Sequence, residues 1–211
     1  KPLYLAKHDR KDREKLTVTF SDATKKLMKL TPVNFESKED WAIIERNVTN
    51  DTLTFWIEDS LIYNLDTLQV IADYLKTDSI LNIVPASDTI SFIYREGPTS
   101  NKNSNSEEGT QSRRRRAKTD TIRVESLELD KSISGIIDNF TTPAIRFEAP
   151  LRELNKDKIT LKTFADSTWV NVNDWSIDKD TLSPRQYIIK HKWEFDKKYL
   201  LSLDSACATS I

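Results

Sequence analysis

Runs in which every second residue is apolar recur along nearly the whole chain, and they constrain its fold more than any other feature. Leu16-Thr17-Val18-Thr19-Phe20 is the first clear case; side chains of a strand point alternately to opposite faces, so this pattern marks a strand with one face buried. Leu53, Phe55 and Ile57 then share one face while Thr52, Thr54, Trp56 and Glu58 take the other, and Ile90, Phe92 and Tyr94 repeat the scheme. Leu68–Leu75 reads as a longer, less regular strand between them. Trp41–Arg46 reads as a further strand, although its length also permits one helical turn. In the second half the pattern resumes at Ile122, Val124, Leu127 and Leu129. It continues through Ile145 and Phe147, Ile159 and Leu161, Val170 and Val172, Tyr187 and Ile189, and Tyr199, Leu201 and Leu203. Turn residues separate these runs roughly every eight to twelve positions, the spacing of a β-sandwich.

The helical signal is thin. Asp22–Leu30, with Ala23, Leu27 and Leu30 at helical spacing, fits a short helix and equally an excursion between strands. Only three glycines occur, Gly97, Gly109 and Gly135, so the turns must be made by Asn, Asp, Ser and Pro through side-chain hydrogen bonds to the backbone. The same scarcity excludes a glycine-rich loop that cradles a nucleotide phosphate.

Composition divides the chain. Residues 97–118 contain no large aliphatic or aromatic side chain, and such a stretch cannot offset the entropy of ordering. The expected organisation is therefore a β-sandwich over 1–96, a disordered basic and polar linker or loop over 97–120, and a second β-sandwich over 121–211. At 211 residues each half is large enough to bury its own core. The net charge of −1 comes from 32 basic and 33 acidic residues that are interspersed, which leaves no field to hold nucleic acid. A single cysteine, Cys207, cannot form an internal bridge and reads as a small buried side chain near a strand end. No apolar run approaches the length of a membrane span. The chain starts at Lys1-Pro2 without a leader, so any membrane association is expected through an N-terminal lipid anchor outside this sequence. The ending Asp204-Ser205-Ala206-Cys207 suggests that further domains follow.

The segment Thr142-Pro143-Ala144-Ile145-Arg146-Phe147-Glu148-Ala149-Pro150-Leu151 resembles the Phe-x-x-Pro-aliphatic signature of bacterial immunoglobulin-like (SbsA/Big-type) domains of Bacteroidetes surface lipoproteins. Ile159-Thr160-Leu161, Asp166-Ser167-Thr168-Trp169-Val170, Tyr187-Ile188-Ile189 with Trp193, and the ending Tyr199–Ala206 continue the likeness. The first half is similar more loosely, through Leu16–Phe20 and Asp51–Ile57, and lacks the proline. This resemblance implies an all-β fold of two tandem immunoglobulin-like β-sandwich domains, an extracytoplasmic location, no catalytic residues and no cofactor. The function it implies is that of a structural spacer or protein-binding arm in a larger lipoprotein.

Asp followed by Ser or Thr and a small or aliphatic residue recurs nine times, from Asp51-Thr52-Leu53 to Asp204-Ser205-Ala206. The pattern is similar to the O-glycosylation acceptor of the same bacterial group, with Thr52, Ser60, Thr67, Ser79, Thr89, Thr121 and Thr181 as candidates. It is equally how a turn hands over to a strand. Asn47-Val48-Thr49, Asn50-Asp51-Thr52 and Asn139-Phe140-Thr141 match the eukaryotic N-glycan acceptor, which carries little weight if the source is bacterial, as the resemblance implies.

Of the other candidates, Arg113–Arg116 has the charge to contact phosphates but no interleaved aromatics, and reads as a solvated stretch. Asp174, Asp178 and Asp180 are close enough in sequence to hold a hard cation but lack the spacing and glycine of a calcium loop. They read as turn residues. His191 beside Trp193 lacks a Ser or Cys elbow. Binding is expected at tryptophans: Trp56, on the sheet face opposite Leu53, Phe55 and Ile57, together with Trp169, Trp175 and Trp193. Rings exposed there would stack on a sugar or fill a pocket of a partner. The expected partner is thus another envelope protein, or a glycan if the chain is a carbohydrate-binding module.

Overall fold

A computed structural model describes residues 1–95, 129–131, 135, 136, 141–204 and 206–211. Among them the chain is almost entirely antiparallel β-structure. Seven strands lie before residue 95: β1 (Leu5–Asp12), β2 (Lys15–Phe20), β3 (Lys29–Pro32), β4 (Ala42–Arg46), β5 (Thr52–Ile57), β6 (Thr67–Thr77) and β7 (Ile83–Ile93), with one helical turn, α1 (Ser60–Tyr63), after β5. They form a four-stranded sheet in the order β1-β2-β5-β4 and a three-stranded sheet in the order β3-β6-β7.

The inward residues of both sheets meet in one core. Leu16 and Val18 of β2, Leu53 and Ile57 of β5, and Leu68 and Val70 of β6 are sealed from solvent, with Phe20, Phe55 and Phe92 beside them. Each such side chain contributes about 1.5–3 kcal/mol by leaving water, which is why the alternation in these strands is strict. β6 is more regular than its sequence suggests: Leu68, Val70, Ala72 and Tyr74 all point inward. Asp22–Leu30 is not a helix but a bent excursion that delivers Leu30 to β3.

The second half contributes β8 (Leu129–Lys131), β9 (Ala144–Phe147), β10 (Leu151–Leu154), β11 (Ile159–Ala165), β12 (Thr168–Asn171), β13 (Trp175–Lys179), β14 (Gln186–His191), β15 (Tyr199–Leu203) and β16 (Ala208–Ser210). Their sheets run β13-β14-β9-β8, β12-β11-β15 and β10-β16. A second core gathers Ile145, Phe147, Leu151, Ile159, Ile177, Tyr187 and Ile189, with Cys207 buried among them between β15 and β16. β12 departs from expectation, because all four of its residues are exposed and Val170 faces solvent. β12 is an outermost strand of its sheet, and none of its residues packs in the second core. The sequence divisions around 97–120, the Arg113–Arg116 run and the strand positions Ile122, Val124 and Leu127 lie outside the described residues.

With so few glycines, polar residues take the left-handed backbone region. Asp166 and Ser167 have φ of 47° and 66° and join β11 to β12 across the Ala165–Thr168 pair, a two-residue hairpin turn of the type that matches strand twist. Asn50 and Asp196 do the same elsewhere, and Leu81, at φ 66°, is the one aliphatic residue so placed among those described.

Candidate functional site

Trp56 lies on the outer face of β5, as alternation requires, but it is not an exposed ring. It is only 5 % exposed. Its Nε1 donates to Glu45 Oε2 at 2.9 Å, the Arg185 guanidinium sits 5.4 Å from its ring centroid, and Lys15 Nζ sits 5.2 Å away. The period-two pattern identifies the face correctly; what covers that face comes from a residue far along the chain. Trp56 is therefore removed from the candidates for stacking on a ligand. Trp175 and Trp193 are half-buried against the second core, Trp193 standing edge-on to His191 at 5.1 Å and to Tyr199 at 4.9 Å. Trp41 is a core residue, edge-on to Phe35. Trp169 alone of the five is exposed, at 44 %.

The cluster over Trp56 fastens the two halves. β4 presents Glu45, which is buried, and the turn before β14 presents Arg185, whose Nε donates to Glu45 Oε2 at 2.7 Å. Arg146 of β9 brings its Nη2 to 3.6 Å from Glu45 Oε1. Arg185 Nη1 also donates to the carbonyl of Glu148 at 3.1 Å. A buried carboxylate is tolerated only when its charge is met and its oxygens are hydrogen-bonded, and here one guanidinium and one indole N–H share Oε2 while a second guanidinium faces Oε1. Neither the arginines nor Glu45 carries a local sequence signal for this role. Each sits in an ordinary alternating or turn position.

The recurrent Asp-Ser/Thr pattern has a common local geometry at four of its sites. Asp59, Asp78, Asp180 and Asp204 each accept, through Oδ1, the backbone N–H two residues on, at Leu61, Ile80, Leu182 and Ala206. This is the Asx turn, in which a side chain replaces a backbone acceptor. Asp51 instead accepts from the Thr52 hydroxyl. Ser60, Ser79, Thr89 and Thr181 are exposed, Thr52 and Thr67 are half-buried, and Thr121 lies outside the described residues. Asn47 is occupied structurally, its Oδ1 accepting from the N–H groups of Asp51 and Thr52.

Asp174, Asp178 and Asp180 do not converge. Asp178 pairs with Lys190 at 3.2 Å, and the Lys190 hydrogen bond holds its carboxyl below the usual range. Asp180 Oδ2 accepts from Gln186. Asp174 lies beside His191, whose Nδ1 is 3.0 Å from the Asp174 carbonyl. Burial pushes the Cys207 thiol up, away from the thiolate that a nucleophile requires.

The exposed apolar face lies on β12-β11-β15. Phe164 pairs across the strands with Trp169, their ring centroids 5.2 Å apart and their planes at 65°. Phe164 is 39 % exposed and Leu200, on the same face through its pairing with Lys162, is 42 % exposed. Sequence reading singled out Trp169 but neither Phe164, Leu200 nor the lysines between them, because it takes cross-strand register to bring them together. No family model matches the chain, and neither a curated protein nor a solved structure matches it significantly.

Proposed function

We propose that this chain is a non-catalytic extracytoplasmic module of a larger cell-envelope lipoprotein, made of two tandem immunoglobulin-like sandwiches and acting as a structural spacer or protein-binding arm. The observation that carries the proposal is the Glu45–Arg185 fastening. A spacer has to transmit position from one end to the other, and a charge-assisted contact on a buried carboxylate between the halves gives two sandwiches a fixed joint.

The strand orders support the immunoglobulin-like reading. β1-β2-β5-β4 against β3-β6-β7 follows the A-B-E-D against C-F-G arrangement of a constant-type sandwich. In the second half β8-β9-β14-β13 repeats the four-stranded part of that order. Fold alone does not specify function; the location and the lipoprotein context rest on the sequence resemblance.

The carbohydrate-binding alternative draws on the exposure of Trp169 on a sheet face. It is the weaker reading, because the adjoining Phe164 ring is steeply tilted and the pair offers no flat platform for a pyranose ring. The test is retention by the full immobilised chain of solubilised envelope proteins, run beside a glycan array and a panel of chromogenic glycosides. Reproducible retention of one envelope protein, undisturbed by soluble glycans, is the expected result. Glycan retention without protein favours the alternative, and glycoside turnover contradicts the non-catalytic assignment.

A further inference from the structure

We infer that the outer face of the β12-β11-β15 sheet docks an acidic protein segment, one that presents an apolar side chain flanked by carboxylates. The register arranges this face in rows. Trp169 lies opposite Phe164, and Asn171, Lys162 and Leu200 form the next row. Phe164 donates its N–H to the Lys198 carbonyl, which sets Lys198 beside it in the first row. Lys162 and Lys198 are therefore diagonal neighbours on adjoining strands, about 7–8 Å apart at the backbone.

Singly exposed apolar residues are ordinary on a protein surface. Here a tryptophan, a phenylalanine and a leucine occupy adjoining positions of one face. Two lysines, Lys162 and Lys198, lie beside them. Neither Lys162 nor Lys198 forms an ion pair among the described residues, whereas Lys190 and Lys197 of the same half have Asp178 and Glu194. Two like charges held this close gain from a third of opposite sign, and an apolar anchor between them gains from burial. A segment with carboxylates on either side of an apolar residue meets both needs.

The face rather than the edge is the docking surface. The two edge strands, β12 and β15, offer only four and five residues for strand addition, and short edge strands are one of the ways proteins blunt such pairing. This inference goes beyond the spacer reading, which does not depend on it.

The test uses the full chain and three fluorescent peptides of equal length that alternate leucine with glutamate, glutamine or lysine, with polygalacturonate as a polyanion that is not a peptide. Anisotropy titrations are expected to rank the glutamate peptide first, with affinity falling as salt rises. Trp169→Ala should weaken that binding roughly tenfold or more, the loss typical of a central tryptophan anchor. The double variant K162E/K198E should weaken it at least about threefold and strengthen the lysine peptide, with unchanged thermal midpoints confirming that both variants fold. Equal binding of the three peptides, a ranking that K162E/K198E does not alter, or binding of polygalacturonate in place of the glutamate peptide each overturns the inference.

Discussion

Arg185 Nε lies 2.7 Å from Glu45 Oε2 across 140 positions of sequence, and the carboxylate it meets is buried on the outer face of the four-stranded sheet that holds Trp56. Removing one member of such a contact leaves an uncompensated charge in a largely dry environment. Glu45→Ala is expected to lower the unfolding free energy by about 2–4 kcal/mol, toward the low end for a buried pair because the arginines keep some solvent access. The double variant Glu45→Leu with Arg185→Met should recover part of that loss, since Arg146 and the Trp56 N–H still lose their acceptor. Urea denaturation followed by circular dichroism measures both; equal destabilisation of the double and single variants would refute the account.

A buried guanidinium, that of Arg10, ties local structure within the first half. Arg10 is buried and donates to the carbonyls of Leu65 at 2.7 Å, Tyr63 at 2.8 Å and Arg13 at 3.0 Å. It thereby fixes the segment after α1 to the β1–β2 hairpin. A lysine cannot reproduce that fork. Arg10→Lys and Arg10→Met should each cost about 1–2 kcal/mol, since partly buried carbonyls lose a buried donor. A change below the error of the urea midpoint in both variants would contradict the assignment.

Leu81 occupies a position that favours glycine. The loop Ser79-Ile80-Leu81 closes between Asp78 and Asn82, with Asp78 N–H donating to the Asn82 carbonyl at 2.9 Å, and Leu81 carries φ 66° while its side chain is 73 % exposed. Nothing gained by packing offsets the backbone cost. Leu81→Gly should raise stability by about 0.5–1 kcal/mol, the relief of a left-handed aliphatic residue less the added freedom of the unfolded chain. Ser167→Gly, in the β11–β12 turn, should act in the same direction. Differential scanning calorimetry reads the shift, and a lowered midpoint for Leu81→Gly would mean that its side chain packs.

These residues show what the sequence could and could not disclose. Leu53, Phe55 and Ile57 announce a buried face because strand parity is a local property. The same parity puts Trp56 on the other face, but its cover, Arg185, is set by how the halves meet. The local pattern has no access to that. Phe164 and Trp169 flank the alternating runs at Ile159–Leu161 and Val170–Val172, and their contact depends on the register fixed by the Asp166-Ser167 turn. Leu81 breaks the rule that polar residues make these turns, so composition pointed away from it. The Asp-Ser/Thr pattern was legible as turn chemistry, and four of its aspartates make that hydrogen bond.

Tyr74 supplies a pH dependence. Burial first, and then its hydrogen bond to Asp88, push its hydroxyl up to about 12. The unfolded chain releases this proton near its ordinary value of about 10, so between the two values the folded state binds more protons and stability falls as pH rises. Below the lower value this contribution is fully present. Tyr74→Phe should flatten that alkaline decline, leaving the smaller contribution of Tyr187, which burial raises in the same direction. Unfolding free energies measured across the alkaline range, beside a phenolate absorbance titration, check it; an unchanged slope in Tyr74→Phe would assign the decline elsewhere.

The most direct test of the central claim, that Glu45 joins the two halves into one arm, is the rotational correlation time of each half from backbone ¹⁵N relaxation in the intact chain. The account predicts one common value for both halves in the native protein and two shorter, unequal values in Glu45→Ala. Distinct values in the native protein, or a common value that survives Glu45→Ala, would contradict it.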